Sequence, residues 1–238
     1  MEKNMEMKKV LITGVSRGLG REMCLILANL GYQVHGISRT DQTLMDKELT
    51  NALHTYHQTN LAKRDEVDRF IEKTPTDYDL LILNAAGRIF KPFAEFNDDE
   101  ITSFISGTFT HQLLILKHVL KDMAARKKGH IIIISSKSGI KGYSSGSIYC
   151  AVKGAWITVH ESISRELRGT GINVLTIIPD SFADQQGNRL PYYQKNIEKI
   201  KHILCHLEKF GKSKIIYSLT FKTRLFIWFS YCKKAMFS

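Results

Sequence analysis

Residues 8–20 read KKVLITGVSRGLG, and the fold turns on how this stretch divides. KKVLITG, residues 8–14, is a short apolar run closed by a glycine, the pattern of a strand buried on both faces. REMCLILANLG, residues 21–31, follows with helical periodicity and its own stop at Gly31. Between strand and helix lies TGVSRGLG, Thr13 to Gly20. Its glycines permit a tight turn and close backbone approach, and a helix N-terminus just behind it attracts a pyrophosphate. The spacing is not G-x-G-x-x-G, since three residues separate Gly14 from Gly18.

The same alternation runs outward to residue 180. YQVHGIS (32–38) reads as a second strand, and the stretch around LHTYHQTNL as a weaker third, followed by a helix over Lys63 to Glu72. DLLILNAAG (79–87) is a fourth strand, residues 99–127 a long helix, HIIIISS (130–136) a fifth strand, Ser147 to Arg168 a helix, and INVLTIIP (172–179) a sixth strand. Continuous β-branched runs separated by helices predict an α/β fold with a doubly wound parallel sheet, Rossmann-like, in a single domain. Residues 1–190 would form the dinucleotide-binding and catalytic body, and 191–238 an atypical C-terminal segment, part of the same domain or peripheral to it. Ligands of such sheets bind beyond the carboxyl ends of the strands.

Composition narrows the class. The chain has 238 residues, 43% of them hydrophobic, enough for a substantial core. Cys24, Cys150, Cys205 and Cys232 are far apart and form no C-x-x-C pair, which fits free thiols in a reducing compartment and neither a disulfide framework nor a zinc site. The opening MEKNMEMKKV lacks the apolar core of a signal peptide, so a cytoplasmic location is expected. Net charge is +11, yet ten Lys or Arg against Glu198 and Glu208 put most of the excess in 191–238. A basic end of this kind points to a local anionic partner, and no nucleic-acid-binding signature is present.

Two further stretches carry chemistry. ISRT (37–40) ends the second strand, where an acidic residue would accept ribose hydroxyls but an arginine grips a 2′-phosphate. Arg39 stands there, Arg17 in the glycine turn can reach the same phosphate, and NADP is expected over NAD. SIYCAVKG (147–154) places Tyr149 and Lys153 four apart, on one face of a helix.

Together these residues resemble the short-chain dehydrogenase/reductase family over roughly residues 8–180. TGVSRGLG is similar to its T-G-x-x-x-G-x-G cofactor turn, Asn84-Ala85-Ala86-Gly87 to its N-N-A-G strand ending, and Tyr149 to Lys153 to its Y-x-x-x-K, with Ser136 thirteen residues upstream of Tyr149. The resemblance implies an NADP(H)-dependent oxidoreductase interconverting a small-molecule carbonyl and its alcohol. Tyr149 would be the general acid/base, its pKa lowered by the Lys153 ammonium together with the positive charge of the nicotinamide. Lys153 would also hold the nicotinamide ribose, and Ser136 would donate to the substrate oxygen, with Ser138 a neighbouring hydroxyl. Gly14, Ser16, Arg17, Gly18, Leu19, Gly20, Arg39, Asn60, Leu61, Asn84, Ala85, Ala86, Gly87 and Pro179 would border the cofactor, Asn60-Leu61 beside adenine. The helices at 99–127 and 147–168 resemble the family's dimer-forming pair, so a homodimer or homotetramer is expected.

Departures leave other readings open. Thr108 stands where the family has an asparagine supporting a water-mediated proton relay, Asp180 follows Pro179 in place of glycine, and Asp184 replaces a threonine near the nicotinamide. Nothing in 211–238 matches the family's glycine-rich ending; YQKNIEKIKHILCHLEKF reads as a helix, KSKIIYSLTF as a strand, and KTRLFIWFSYCKKAMFS as a basic, aromatic tail. That tail is too short to span a bilayer but suits a membrane interface, a packed helix, or a subunit contact. A catalytically impaired cofactor-binding scaffold and a membrane-surface reductase of a lipid-linked substrate therefore stand beside the enzyme reading. His202 and His206 lack a carboxylate partner and make a poor metal site, His111 and His118 read as surface or interface residues, and 181–196 as the loop covering the substrate.

Overall fold

Runs of β-branched and leucine side chains become the strands. The computed structural model describes residues 8–179, 193–207 and 213–217. Its strands are β1 (Lys9–Thr13), β2 (Gln33–Ser38), β3 (Thr55–Gln58), β4 (Leu80–Leu83), β5 (Gly129–Ile134), β6 (Ile172–Ile178) and β7 (Lys214–Tyr217), and each neighbouring pair is parallel. They form one seven-stranded sheet in the order β3-β2-β1-β4-β5-β6-β7. Successive side chains of a strand point to opposite faces, and both faces here are covered. In β1, Val10 and Ile12 join Met23, Leu27, Ile200 and Leu204 on one side, while Leu11 joins Ile115, Ile133 and Trp156 on the other.

The helices are α1 (Gly18–Asn29), α2 (Lys47–Ala52), α3 (Arg64–Lys73), α4 (Asp98–Ile105), α5 (His111–Arg126), α6 (Ser147–Glu166) and α7 (Tyr193–Cys205). Strand order reverses between β1 and β4, the first added on the β2 side and the second on the other, so a crevice opens at their carboxyl ends.

The long helix expected at 99–127 is interrupted. It starts on a capping box, Asn97 with Glu100, and ends at Arg126 with Lys127 in a left-handed conformation. Between α4 and α5 a π-helical segment spans Ser106–Thr110. Its cause is tertiary: the Thr108 carbonyl accepts from the Trp156 indole (3.0 Å) and from Gln112 Nε2 (3.0 Å), which draws it out of the regular ladder. His111, expected at a surface or interface, is instead buried, with Nδ1 2.7 Å from the Leu61 carbonyl. That bond ties α5 to the loop after β3. His118 is half-buried, its Nε2 3.3 Å from the Thr74 carbonyl.

Of the C-terminal segment, α7 packs on α1 through Ile200, Ile203 and Leu204, and β7 lies beside β6 with Leu175 opposite Lys214. The expected helix and strand thus complete the edge of the sheet. Asp180, Asp184, most of the expected covering loop, Trp228, Cys232 and the tail from 218 on lie outside the described residues. Among the described residues no helix is long and apolar enough to cross a membrane.

Buried histidines give the fold an acid sensitivity. His35 on β2 is enclosed by His54, His57 and Tyr78, with Lys9 and Asp77 nearby; burial, then the neighbouring positive charges, push it down to about 4. Burial likewise takes His160 to about 4, against the pull of Glu161. The unfolded chain, with histidines near 6.5, binds protons first as pH falls, so the stability these groups contribute is complete above about 6.5 and is lost towards 4. The expected size is on the order of 2 kcal/mol for each. Chemical denaturation at pH 7 and pH 4.5 should show a drop that shrinks in His35→Leu; an equal drop in that variant would remove His35 from the cause.

Candidate active site

At the carboxyl ends of the strands lies an open cleft of roughly 1510 Å³. Gly14, Ser16, Arg17, Gly18, Leu19 and Gly20 of the β1–α1 turn line it, with Arg39 after β2, Asn60 and Leu61 after β3, Asn84, Ala85, Ala86 and Gly87 after β4, Ser136 after β5, Tyr149 and Lys153 on α6, and Pro179 after β6. The catalytic and cofactor-bordering candidates read from the sequence therefore all border one cavity, with Asp180 and Asp184 outside the described residues.

The glycine turn is built by close packing. Gly14 has φ +76°, and a Cβ on Gly20 would sit 1.9 Å from the Gly14 carbonyl oxygen, so neither position tolerates a larger residue. Asn84 binds the same turn, its Nδ2 donating to the carbonyls of Thr13 (3.0 Å) and Gly14 (3.1 Å). Thr13 Oγ1 accepts from the amides of Asn84 (2.9 Å) and Ala85 (3.0 Å) and donates to Gln112 Oε1 at 2.8 Å. Gln112 in turn donates to the Ala85 carbonyl at 2.7 Å. Residues 84 and 85 are thus fixed by a partly buried hydrogen-bond network, not merely a turn that ends a strand. Gln112 carried no sequence signal, because its partners lie far away in the chain.

Arg17 in the glycine turn and Arg39 after β2 both line the cleft, are exposed and, among the described residues, form no ion pair. Nearby acids are engaged elsewhere: Asp46, which caps α2, and Glu48 within it bind Arg21 at 2.8 and 2.6 Å. Two free guanidiniums facing one cavity suit a phosphate. Asn60 Oδ1 accepts from the Ala62 amide at 3.0 Å, leaving one lone pair of the oxygen for an adenine amino group. The positive-φ turn, the α1 N-terminus behind it and this arginine pair together fit a phosphorylated dinucleotide.

The other end holds the reactive groups. Gly139 makes this possible: a Cβ there would lie 2.5 Å from the Lys153 carbonyl, so the segment after β5 can lie against α6. Ser135 Oγ donates to that carbonyl at 2.8 Å. Ser136 comes within hydrogen-bonding reach of Tyr149, and its hydroxyl donates to Ser138 at 3.1 Å. The Lys153 ammonium, 4% exposed, donates to the Ile134 carbonyl at 2.8 Å and lies 5.9 Å from the centre of the Tyr149 ring.

Burial dominates the electrostatics of this end of the cleft. Burial raises the Tyr149 phenol above its ordinary value, and the Ser136 hydrogen bond and the Arg88 charge oppose this only in part. Burial takes the Lys153 pKa down to about 8, which weakens the cation expected to do the tuning. Arg88, missed from the sequence, directly follows Gly87, and that position at a strand's carboxyl end was the signal available. Phe90, also missed, stands edge-on to Tyr149 at 5.6 Å, with Tyr143 5.9 Å beyond it and Phe104 6.5 Å from Tyr149.

A short chain dehydrogenase family model matches residues 8–192. The chain belongs to the short-chain dehydrogenase family. It is accordingly an oxidoreductase acting between carbonyl and alcohol. It is 30% identical over 185 residues to a 2-dehydro-3-deoxy-D-gluconate 5-dehydrogenase of Pseudoalteromonas atlantica, covering 74% of this chain and 72% of that one. To a 3-oxoacyl-[acyl-carrier-protein] reductase of Rickettsia prowazekii it is 30% identical over 198 residues, 81% of each. Among solved structures, a short-chain dehydrogenase from Sphingobium yanoikuyae in complex with NADPH superposes with a TM-score of 0.81 at 19% identity, covering 97% of this chain and 95% of that one. A bulky-bulky ketone specific alcohol dehydrogenase from Comamonas testosteroni gives 0.82 at 20% identity, over 97% and 93%.

Against the family pattern, Thr108 is the clearest difference within the described residues. Its hydroxyl donates to the Phe104 carbonyl, and its own carbonyl is taken by Trp156 and Gln112. Among the described residues no group of His, Cys, Asp and Glu is arranged to hold a metal ion.

Proposed function

We propose that this short-chain dehydrogenase reduces a carbonyl compound to its alcohol with NADPH, Tyr149 serving as the proton donor. The observation that carries the reading is one cleft lined by Ser136, Tyr149 and Lys153 and also by two guanidiniums, Arg17 and Arg39, that form no ion pair among the described residues. When bound, the dinucleotide supplies hydride to the carbonyl carbon. Tyr149 supplies the proton to the carbonyl oxygen, and Ser136 holds that oxygen by its hydroxyl. A phenol raised by burial is protonated at neutral pH, the form that reduction needs. Oxidation of the alcohol needs the other form and should accelerate as pH rises. Lys153, held by the Ile134 carbonyl, binds a ribose hydroxyl in this reading. With Thr108 engaged elsewhere, proton resupply comes from the open cleft.

The wall beside Tyr149 favours a substrate with a bulky, flat apolar group. Phe90 and Tyr143 are 40% and 46% exposed where they meet it, and a ring stacked there would cover apolar surface that water now touches. Oxidation of NADPH should be followed with 4-phenyl-2-butanone and 2-butanone, whose carbonyls are electronically alike. We expect kcat/KM roughly 10–100-fold higher for the aryl ketone. Equal values would sink the aromatic wall, and no reduction of any carbonyl in a wide panel, with NADPH or NADH, would sink the function.

A further inference from the structure

The Tyr56 phenol sits beside Arg39 yet takes no part in the chemistry above. Tyr56 lies on β3 opposite Gly36 of β2, and its ring packs against the core face shared with Val15 and Leu53. Its hydroxyl reaches up to the end of β2, where all of its bonds go to two residues. It is hydrogen-bonded to the Ser38 hydroxyl at 2.8 Å, lies 3.0 Å from the Ser38 carbonyl, and donates to the Thr40 carbonyl. Ser38 Oγ in turn accepts from the Thr40 amide at 3.2 Å. Ser38, Thr40 and Tyr56 thus close a ring of hydrogen bonds, and the single residue enclosed between its two anchor points is Arg39. The same strand end is held from below, the Ser38 carbonyl accepting from Thr59 (2.8 Å) and the Ile37 carbonyl from Gly14 (2.7 Å).

A long exposed arginine is a poor ligand-binding group when both backbone and side chain must be ordered at the moment of binding. Here the backbone is fixed in advance, so only side-chain freedom is lost when Arg39 closes on a phosphate. Burial raises the phenol's pKa, so the hydroxyl keeps its proton and the ring of bonds persists across the working pH range. We infer that Tyr56 is a positioning residue for Arg39 and thereby helps set the preference for a 2′-phosphorylated dinucleotide over its unphosphorylated form. This rests on the NADPH reading above. It goes beyond that reading by placing part of the selectivity on a side chain that need not touch the cofactor.

Tyr56→Phe keeps the packed ring and removes the bonding oxygen. Fluorescence titration of the full chain should show NADPH Kd rising about 5–10-fold, with NADH within about twofold of the parent. Ser38→Ala, which breaks the other arm, should move the ratio the same way. In an Arg39→Ala background Tyr56→Phe should leave NADPH Kd within about twofold, because the group it positions is gone. Melting curves monitor folding in each variant. A merely structural tyrosine would weaken both cofactors alike or neither, and either result in a folded variant overturns the inference. If the parent itself binds NADPH and NADH equally, the Arg39 assignment fails first; if the parent prefers NADPH and Tyr56→Phe keeps that ratio, only the Tyr56 inference fails.

Discussion

Tyr149→Phe is expected to lower kcat for ketone reduction about 10³-fold while leaving NADPH Kd within about twofold, since general acid catalysis by a positioned group is worth roughly 10²–10⁴. The substitution removes one oxygen. The ring contacts with Phe90 and Phe104 remain, so the fold and the cleft wall should survive. Ser136 and Lys153 stay in place, and neither replaces the lost donor: the serine hydroxyl is a far weaker acid, and the lysine is bound to the Ile134 carbonyl. Steady-state rates with 4-phenyl-2-butanone, paired with NADPH fluorescence titration, separate the two effects. A variant retaining more than a tenth of parental kcat would show that the phenol does not carry the proton.

Arg39→Ala carries the second large effect. The guanidinium is exposed and lines the cleft beside Arg17 without an ion-pair partner among the described residues, while the acids of α2 are already held by Arg21. A charge-assisted contact to a phosphate contributes on the order of 1.5–3 kcal/mol, so NADPH Kd should rise roughly 10–100-fold. NADH, lacking that phosphate, should bind as before. The parent's preference therefore collapses in the variant, and the loss should lessen at high salt as the parent's own advantage is screened. Equal affinities in the parent would remove the assignment.

Much of this was readable in the chain because the signals are local. Strands such as LLIL and INVLTII are continuous apolar runs, and a parallel sheet covered on both faces needs nothing more to declare itself. The glycine turn, the residues after each strand and the Tyr149–Lys153 spacing are local too, and the topology gathers them at one end of the sheet. What escaped is decided across the fold. The π segment at Ser106–Thr110 exists because an indole on α6 reaches the Thr108 carbonyl, and helical periodicity says nothing about that. His111 is buried because its partner is the Leu61 carbonyl, far away in sequence. Burial, the largest influence on the Tyr149 phenol, is likewise invisible in sequence, where only the four-residue spacing to Lys153 can be read. Gln112 and Tyr56 act through bonds to other strands, so their types alone give no hint of what they hold in place.

In the proposed chemistry the Tyr149 hydroxyl meets the substrate's carbonyl oxygen. The most direct test is a crystal structure of the protein with NADP and a poorly reactive ketone, read for a single distance. The account predicts the Tyr149 oxygen about 2.6–3.2 Å from the ketone oxygen, with Ser136 as a second donor. A ketone held elsewhere in the cleft, with that phenol more than about 4 Å away and bonded only to protein, would contradict it.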